Sequence, residues 1–238
     1  MDSLQNQRVL IVGGARDIGL AVAGAVADAG GTAVIGARGA AKAESAAASI
    51  PGAEHVLIDI TDEGSVTAAL DAAAPLDHIV ITTSAHHNVP VTELEHDATV
   101  TAFETKVIGP LLLAKHAAGR LPAHGSILLF SGQAAWKPSP GYSIMGITNG
   151  AVSFAAKHLA VELAPVRVNA ISPGVIDSGS WDSMGAADKE AFLSSSAEGT
   201  LVKRVGRNRD ITDAVLWLLT AGFVTGETIH VEGGAPLA

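Results

Sequence analysis

Residues 8–19 read Arg8-Val9-Leu10-Ile11-Val12-Gly13-Gly14-Ala15-Arg16-Asp17-Ile18-Gly19. An apolar, β-branched run leads into a glycine turn, and the turn opens a segment rich in alanine and valine. This order predicts a buried strand, a tight turn and a helix, with small residues that let the backbone approach a ligand closely. Free N–H groups at a helix N-terminus favour negative charge, so the pattern predicts a site for a dinucleotide pyrophosphate.

The alternation of strand and helix patterns continues along the chain. Short β-branched runs predict strands at 8–12, 32–37, 54–58, 78–82, 126–131, 167–171 and 228–231. Helical patterns lie between them at 18–29, 40–49, 63–74, 93–119, 141–163 and 210–220. We therefore expect one α/β domain over residues 1–238. Its fold should be a Rossmann-like, doubly wound parallel sheet of about seven strands, with helices on both faces and ligands at the carboxyl ends of the strands.

Composition narrows the class of protein. The chain has 238 residues, 48% hydrophobic and 16% charged, as is typical of a compact globular domain. Its net charge of −9 disfavours nucleic acids and anionic membranes as partners, and no apolar run approaches the roughly 18 residues that span a bilayer. Without cysteine there are no disulfides or thiolate metal sites, which suits a reducing cytoplasm. We expect a cytoplasmic protein without a bound metal.

The segment 177–199 stands apart from the alternating pattern. It combines three glycines with Trp181, Met184 and Phe192. This composition favours a mobile helical flap, and two interpretations stay open. The flap is either a lid over a substrate or a surface helix pair that packs on the core or on a partner subunit.

Over nearly its whole length the chain resembles the short-chain dehydrogenase/reductase family. The glycine turn follows the family pattern Thr-Gly-x-x-x-Gly-x-Gly, with Val12 for the threonine and Asp17 for the middle glycine. The run Ile171-Ser172-Pro173-Gly174-Val175-Ile176-Asp177-Ser178 is similar to the family's Pro-Gly loop, which faces the nicotinamide. The resemblance implies a nicotinamide cofactor, a small-molecule substrate and a homo-oligomer, either a dimer or a tetramer.

The end of the second strand predicts which nicotinamide cofactor binds. NAD sites usually place an acidic residue there, whereas this chain has Arg38, whose planar cation suits a 2′-phosphate. Arg16 lies where NADP-preferring relatives often carry a second basic residue. Together they favour NADP(H), and the alternative is two solvated surface arginines. Asp17 is expected to repel the pyrophosphate unless Arg16 or a helix N–H group compensates for its charge.

By the resemblance, the remaining cofactor contacts follow from the family's positions. Asp59 would hydrogen-bond the adenine, although it could instead cap the following helix. The predicted cofactor-binding residues are Gly13, Ala15, Arg16, Asp17, Ile18, Gly19, Arg38, Asp59, Ile60, Thr83, Ser84, Pro173, Gly174 and Ile176.

The family's catalytic residues Asn, Ser, Tyr and Lys are all replaced in this chain. Counting back from the family-like segment 157–169 puts Met145 at the tyrosine position, Asn149 at the lysine position and Gly132 at the serine position. Lys106 takes the asparagine position, so two of the changes are reciprocal. We hypothesise that the Lys106 ammonium supplies the charge of the missing lysine. Alternatively, Lys106 extends to solvent or packs at a subunit contact.

The proton donor is not evident from the sequence. Tyr142 is the only tyrosine, and its side chain should lean away from position 145 unless the helix start is shifted. Ser131 has a similar difficulty, because in a strand its side chain points opposite to that of residue 132. His86 and His87 edge the expected crevice but could be solvated loop residues. The candidate catalytic residues are Lys106, Ser131, Tyr142 and Asn149.

These observations favour an NADP(H)-dependent oxidoreductase that acts on a small, apolar carbonyl or alcohol through a non-standard proton relay. One alternative keeps the cofactor pocket for non-redox chemistry, as in an isomerase, lyase or cyclase. A second alternative is a catalytically inactive sensor or structural subunit.

Overall fold

A computed structural model gives the structure of residues 4–238. The strands are β1 Arg8–Val12, β2 Thr32–Ala37, β3 Glu54–Leu57, β4 His78–Ile81, β5 Ser126–Phe130, β6 Arg167–Pro173, β7 Ile176–Asp177, β8 Gly206–Arg207 and β9 Thr228–Val231. The α-helices are α1 Asp17–Asp28, α2 Ala40–Ala48, α3 Glu63–Ala73, α4 His96–Phe103, α5 Gly109–Ala117, α6 Ser143–Glu162, α7 Ala186–Glu198 and α8 Asn208–Thr220.

Seven strands form one parallel sheet in the order β3-β2-β1-β4-β5-β6-β9. The order reverses between β1 and β4, which opens a crevice at their carboxyl ends. The predicted doubly wound α/β fold is therefore confirmed, with every main strand within two residues of its expected end. The two-residue strands β7 and β8, which pair with each other, were not predicted.

The core consists of two apolar layers, one on each face of the sheet. Alternate residues of β1 divide between them: Leu10 packs in the layer shared with α3, α5 and α6, and Ile11 in the layer shared with α1, α2 and α8. Both side chains are fully buried. This division follows from the two-residue period of a strand, and it fixes which residues reach the crevice at the strand ends.

The helix predicted at 93–119 is interrupted. It begins at His96, and a π-helical turn at Glu104–Ile108 joins α4 to α5. Pro110 explains the turn, since it has no N–H to donate to the carbonyl of Lys106 and its ring crowds that carbonyl. Single π turns are frequent at functional sites, and this one carries Lys106.

The cap of α3 corrects one alternative from the sequence. Asp62, not Asp59, accepts hydrogen bonds from the backbone N–H groups of Gly64 and Ser65 at the start of α3. Asp59 instead accepts from the backbone and the hydroxyl of Thr61. The suggestion that Asp59 caps the helix is therefore wrong.

Candidate functional site

The glycine turn after β1 is as tight as the sequence pattern predicts. Gly13 has φ +90°, a conformation that favours glycine. A β-carbon at Gly19 would lie 2.2 Å from the carbonyl oxygen of Gly13, so only glycine allows α1 to start this close to the turn. The side chain of Arg16 leaves the N-terminus of α1 uncapped, and the first-turn N–H groups of this helix can therefore receive an anion.

Asp17 occupies its glycine position with a left-handed backbone, at φ +51°. Aspartate tolerates this region better than most residues, but at a cost in conformational energy. Its carboxylate lies 3.4 Å from Arg16 Nε. A β-carbon at Gly179 would lie 3.3 Å from Asp17 Oδ1, which places Asp17 between the glycine turn and the start of the flap. The turn thus has the backbone shape of a phosphate site and one negative charge that opposes it.

Arg38 and Asp59 lie together at the carboxyl ends of β2 and β3. Arg38 is exposed directly after β2. The hydrogen bonds from Thr61 hold the pKa of Asp59 below its usual range, and the charge of Arg38 adds to this effect. Ile60 beside them is buried. An exposed cation next to an ionised carboxylate and an apolar side chain suits the adenosine end of a nucleotide.

Two further loops border the crevice. Thr83 follows β4, and its hydroxyl donates to the carbonyl of Thr105 at 3.4 Å, while Ser84 beside it is exposed. Pro173 ends β6, and a β-carbon at Gly174 would lie 2.8 Å from Glu232 Cα, so the Pro-Gly loop packs directly on the chain after β9. Ile176 starts β7 and is buried.

Lys106 is a buried cation without a carboxylate partner in residues 4–238. Only 7% of the residue is exposed, and Nζ donates one hydrogen bond, to the carbonyl of Ser131 at 3.3 Å. Burial lowers the pKa of Lys106 to about 8. The alternative that the Lys106 side chain extends to solvent is therefore wrong. An ammonium buried in this way stabilises an anion or a developing negative charge strongly.

Ser131 and Asn149 contact each other beside Lys106, where a hydrogen bond joins the end of β5 to α6. The Ser131 hydroxyl donates to the carbonyl of Asn149 at 2.8 Å and accepts from the Ser153 hydroxyl at 2.9 Å. It thereby anchors the end of β5 to α6.

The Asn149 carboxamide fills the space that a side chain at Gly132 would need. Its nitrogen lies 2.7 Å from where a Gly132 β-carbon would be. Asn149 is 4% exposed, and its carboxamide has no hydrogen-bond partner among the residues of known position. This complementarity was missed from the sequence. Its only signal was a glycine and a short amide at the positions that the resemblance assigns to serine and lysine.

The other candidate proton donors stand at the rim. Tyr142 precedes α6 and is exposed, and within residues 4–238 its hydroxyl makes no hydrogen bond. His86 is exposed, with Nδ1 3.5 Å from Ser84 Oγ. Desolvation of the part of the ring that the protein covers lowers the pKa of His86, and the positive charges of Lys106 and Arg16 lower it further. His87 has a structural role, since its Nε2 accepts the backbone N–H of Glu95 at 3.0 Å.

The flap consists of a short turn and α7, and none of the α7 residues is fully buried. Trp181 packs against Phe192 with ring centroids 4.6 Å apart, and its indole N–H donates to the carbonyl of Ile176. Lys189 binds both Asp177 and Asp182 at the base of the flap. A groove of about 530 Å³ lies between α7 and residues 203–205, away from the glycine turn and Lys106, so we assign it no part in the chemistry.

Two further properties concern the described part of the chain as a whole. Within residues 4–238, no helix has the length and apolar character needed to cross a bilayer. The same residues contain no cluster of three or more histidine, aspartate or glutamate side chains that could hold a metal ion.

Residues 13–236 match the family model described as enoyl-(acyl carrier protein) reductase. The short-chain dehydrogenase/reductase ucsE of Acremonium sp is 30% identical, over 100% of this chain and 98% of that protein. Among solved structures, the MalC reductase/Diels-Alderase from Malbranchea aurantiaca has a TM-score of 0.93 and 26% identity, covering 100% of this chain and 99% of that one. A small-chain dehydrogenase in complex with NADPH has a TM-score of 0.85 and 29% identity, covering 98% of this chain and 100% of that one.

Proposed function

Because this chain belongs to the short-chain dehydrogenase/reductase family of oxidoreductases, whose members bind nicotinamide cofactors, we propose that it is an NADP(H)-dependent reductase. Its substrate would be a small, apolar carbonyl compound, or the corresponding alcohol in the reverse direction. The observation that carries this proposal is the buried ammonium of Lys106 beside the carboxamide of Asn149. Together they form a charged site for a substrate oxygen in a chain that lacks the family's tyrosine and lysine.

The residues of the crevice fit NADP(H). The uncapped N-terminus of α1 offers N–H groups to the pyrophosphate, and Asp59 and Ile60 border the place of the adenine. Arg38 and Arg16 supply positive charge for a 2′-phosphate, in accord with the NADPH held by one structural relative. Asp17 is the one group that opposes the fit, and the first-turn N–H groups and Arg16 must offset its charge.

Cofactor choice is tested by titrating the protein with NADPH and with NADH and following nicotinamide fluorescence. We expect Arg38→Ala to weaken NADPH binding about tenfold and to leave NADH binding unchanged, because only NADPH carries the 2′-phosphate. Arg209→Ala is the matched control, since Arg209 is also an exposed arginine and its guanidinium pairs with Asp213 on α8. Equal affinities of the wild-type protein for both cofactors would contradict NADP(H) selectivity.

Lys106 and Asn149 would hold the substrate oxygen. Hydride transfer is the chemistry that NADPH supplies in such a site. As negative charge develops on the oxygen, the Lys106 ammonium stabilises it, and the Asn149 N–H group adds a second donor. With a pKa of about 8, Lys106 is charged at neutral pH yet acidic enough to give its proton to an alkoxide. Ser131 acts as a positioning residue, because its hydroxyl ties Asn149 to β5.

Substrate-dependent oxidation of NADPH, followed at the nicotinamide absorbance, tests the reaction. A panel of apolar ketones and aldehydes suits the aromatic pair Trp181 and Phe192 of the flap. Tyr142→Phe separates the proposed donor from the sequence-based alternative, since it should keep full turnover if Lys106 supplies the proton. A complete loss in Tyr142→Phe would move the role of acid to Tyr142.

We also propose that the protein is a cytoplasmic homo-oligomer. Ile147, Phe154 and Val161 recur every seven residues on α6 and are exposed, and Leu111 on neighbouring α5 is exposed too. Such an apolar stripe suits contact with a second copy of the chain. Size-exclusion chromatography with light scattering tests this, and Phe154→Lys should shift the wild-type oligomer towards the monomer.

A further inference from the structure

Three groups without a strong partner in residues 4–238 lie on the elements that follow β4 and β5: the ring of His86 in the loop after β4, the Lys106 ammonium in the π turn and the Asn149 carboxamide on α6. We propose that this crevice also catalyses enolisation, the removal and return of a proton α to the carbonyl of an apolar ketone, without a nicotinamide cofactor. The activity uses the oxygen site of the proposed reductase but neither its cofactor site nor hydride chemistry.

The oxygen site has the character that an enolate needs. Lys106 Nζ donates to the carbonyl of Ser131, and the Asn149 amide nitrogen lies 2.7 Å from where a β-carbon of Gly132 would be. The two donors therefore lie beside consecutive residues just after β5. Lys106 has only that carbonyl at 3.3 Å, and Asn149 has no partner within residues 4–238 for its carboxamide. Two donors without a competing carboxylate favour an oxygen that carries full negative charge.

His86 supplies the base. It lies in the loop after β4, next to β5 in the sheet, and Thr83 in this loop donates to the carbonyl of Thr105, the residue before Lys106. The charges of Lys106 and Arg16 act on the His86 ring. Desolvation of the ring, and then these charges, lower the pKa of His86 and so favour the neutral imidazole, the form that accepts a proton. Nδ1 faces Ser84 Oγ, while Nε2 has no partner within residues 4–238.

The step balances without an oxidant or reductant. The α C–H bond breaks and its proton goes to the free ring nitrogen of His86. The C–H electron pair forms the C=C bond, and the C=O π pair moves to the oxygen, where Lys106 and Asn149 stabilise it. Return of a proton from the imidazolium to the same carbon regenerates the ketone, or return to a different carbon gives an isomer.

Deuterium exchange tests the proposal directly. The probe is 2-tetralone, an apolar ketone with acidic α protons, incubated in D₂O with the full chain and no nicotinamide cofactor. Loss of the α-proton signals is followed by ¹H NMR. We expect the protein to accelerate the loss at least tenfold over buffer. His86→Ala and Lys106→Met should each abolish most of this acceleration, and His55→Ala, which changes an exposed histidine on the far strand β3, should retain it.

The outcomes separate this inference from the proposed reductase. Exchange no faster than in buffer overturns the inference, whether or not the same preparation oxidises NADPH. Exchange that persists unchanged in both His86→Ala and Lys106→Met overturns it as well. Exchange without any NADPH oxidation supports the inference and removes the proposed reductase. Because His86 is an exposed loop residue, its variant should fold even if Lys106→Met does not.

Discussion

Arg167 and Lys106 are both cations with 7% of their surface exposed, at opposite ends of the same sheet. Arg167 starts β6, and its guanidinium donates to the last carbonyls of α8, at Leu218 and Leu219, over 2.7 Å each. Lys106 lies beyond the carboxyl end of β5 and has one hydrogen bond of 3.3 Å. The two equally buried cations therefore differ in the number and length of the hydrogen bonds that balance their charge.

The difference extends to other polar groups at the two ends. At the amino end, both ring nitrogens of buried His78 are bonded, to Ser126 Oγ and Gln7 Oε1. At the carboxyl end, Asn149 and Lys106 keep donors that the described residues leave available. Arg167 and His78 at the amino end are thus satisfied within the fold, while Lys106 and Asn149 at the carboxyl end keep donors for the oxygen site proposed above.

Lys106→Met gives the largest expected effect. Turnover should fall about 1,000-fold, as when a donor to a developing oxyanion is removed. The free energy of unfolding should rise by about 1 kcal/mol, because a poorly paired buried charge is replaced by an apolar side chain. Ketone reduction and urea unfolding measure the two quantities. A variant that loses stability together with activity would make Lys106 a structural residue like Arg167.

Arg167→Met should show the opposite pattern. Removing two charge-assisted hydrogen bonds leaves the α8 carbonyls buried without partners and should cost about 4 kcal/mol of stability. Turnover per folded molecule should stay unchanged, measured with the same substrate well below the unfolding temperature. If activity fell while stability held, the division between the two sheet ends would be contradicted.

The stability of the protein should depend on pH through His78, at the amino end of β4. Burial first, and then the charge of Arg167, lower the pKa of His78 to about 4 from its ordinary value of 6.5. The unfolded chain binds this proton first, so the stability that neutral His78 contributes is present above pH 6.5 and is lost as pH falls towards 4. The loss is on the order of 3 kcal/mol. Urea unfolding measured across this range checks it, and the gap between wild type and His78→Gln should narrow as the pH falls.

Asp17→Gly should give the smallest effect and sharpen the comparison at the carboxyl end. It removes a left-handed aspartate and the charge beside the pyrophosphate, so stability should rise by about 1 kcal/mol and NADPH should bind about tenfold more tightly. Asp17→Asn removes the charge and keeps a residue that tolerates the left-handed region. The gain in affinity should appear in both variants, whereas the gain in stability belongs to glycine. Weaker NADPH binding in both would assign Asp17 a direct role in holding the cofactor.

The sequence predicted the parallel sheet well and the candidate site only in outline. β-branched runs such as Thr32–Ala37 define strands because both faces of a parallel strand are buried. The strands β7 and β8 have two residues each and are too short to contain such a run. The π turn depends on how Pro110 meets the carbonyl of Lys106, and the Asn149 carboxamide position depends on contact with Gly132, 17 residues earlier in the chain. Such contacts between elements leave little trace in local patterns.

The fit between Gly132 and Asn149 also constrains the evolutionary history of the chain. If an ancestor carried serine and lysine at these positions, the order of their replacement mattered, because a β-carbon at residue 132 and the present Asn149 amide would compete for one space. A reversion of Gly132 alone would be opposed by Asn149. The two positions are therefore coupled, because a side chain at residue 132 would require the Asn149 amide to move.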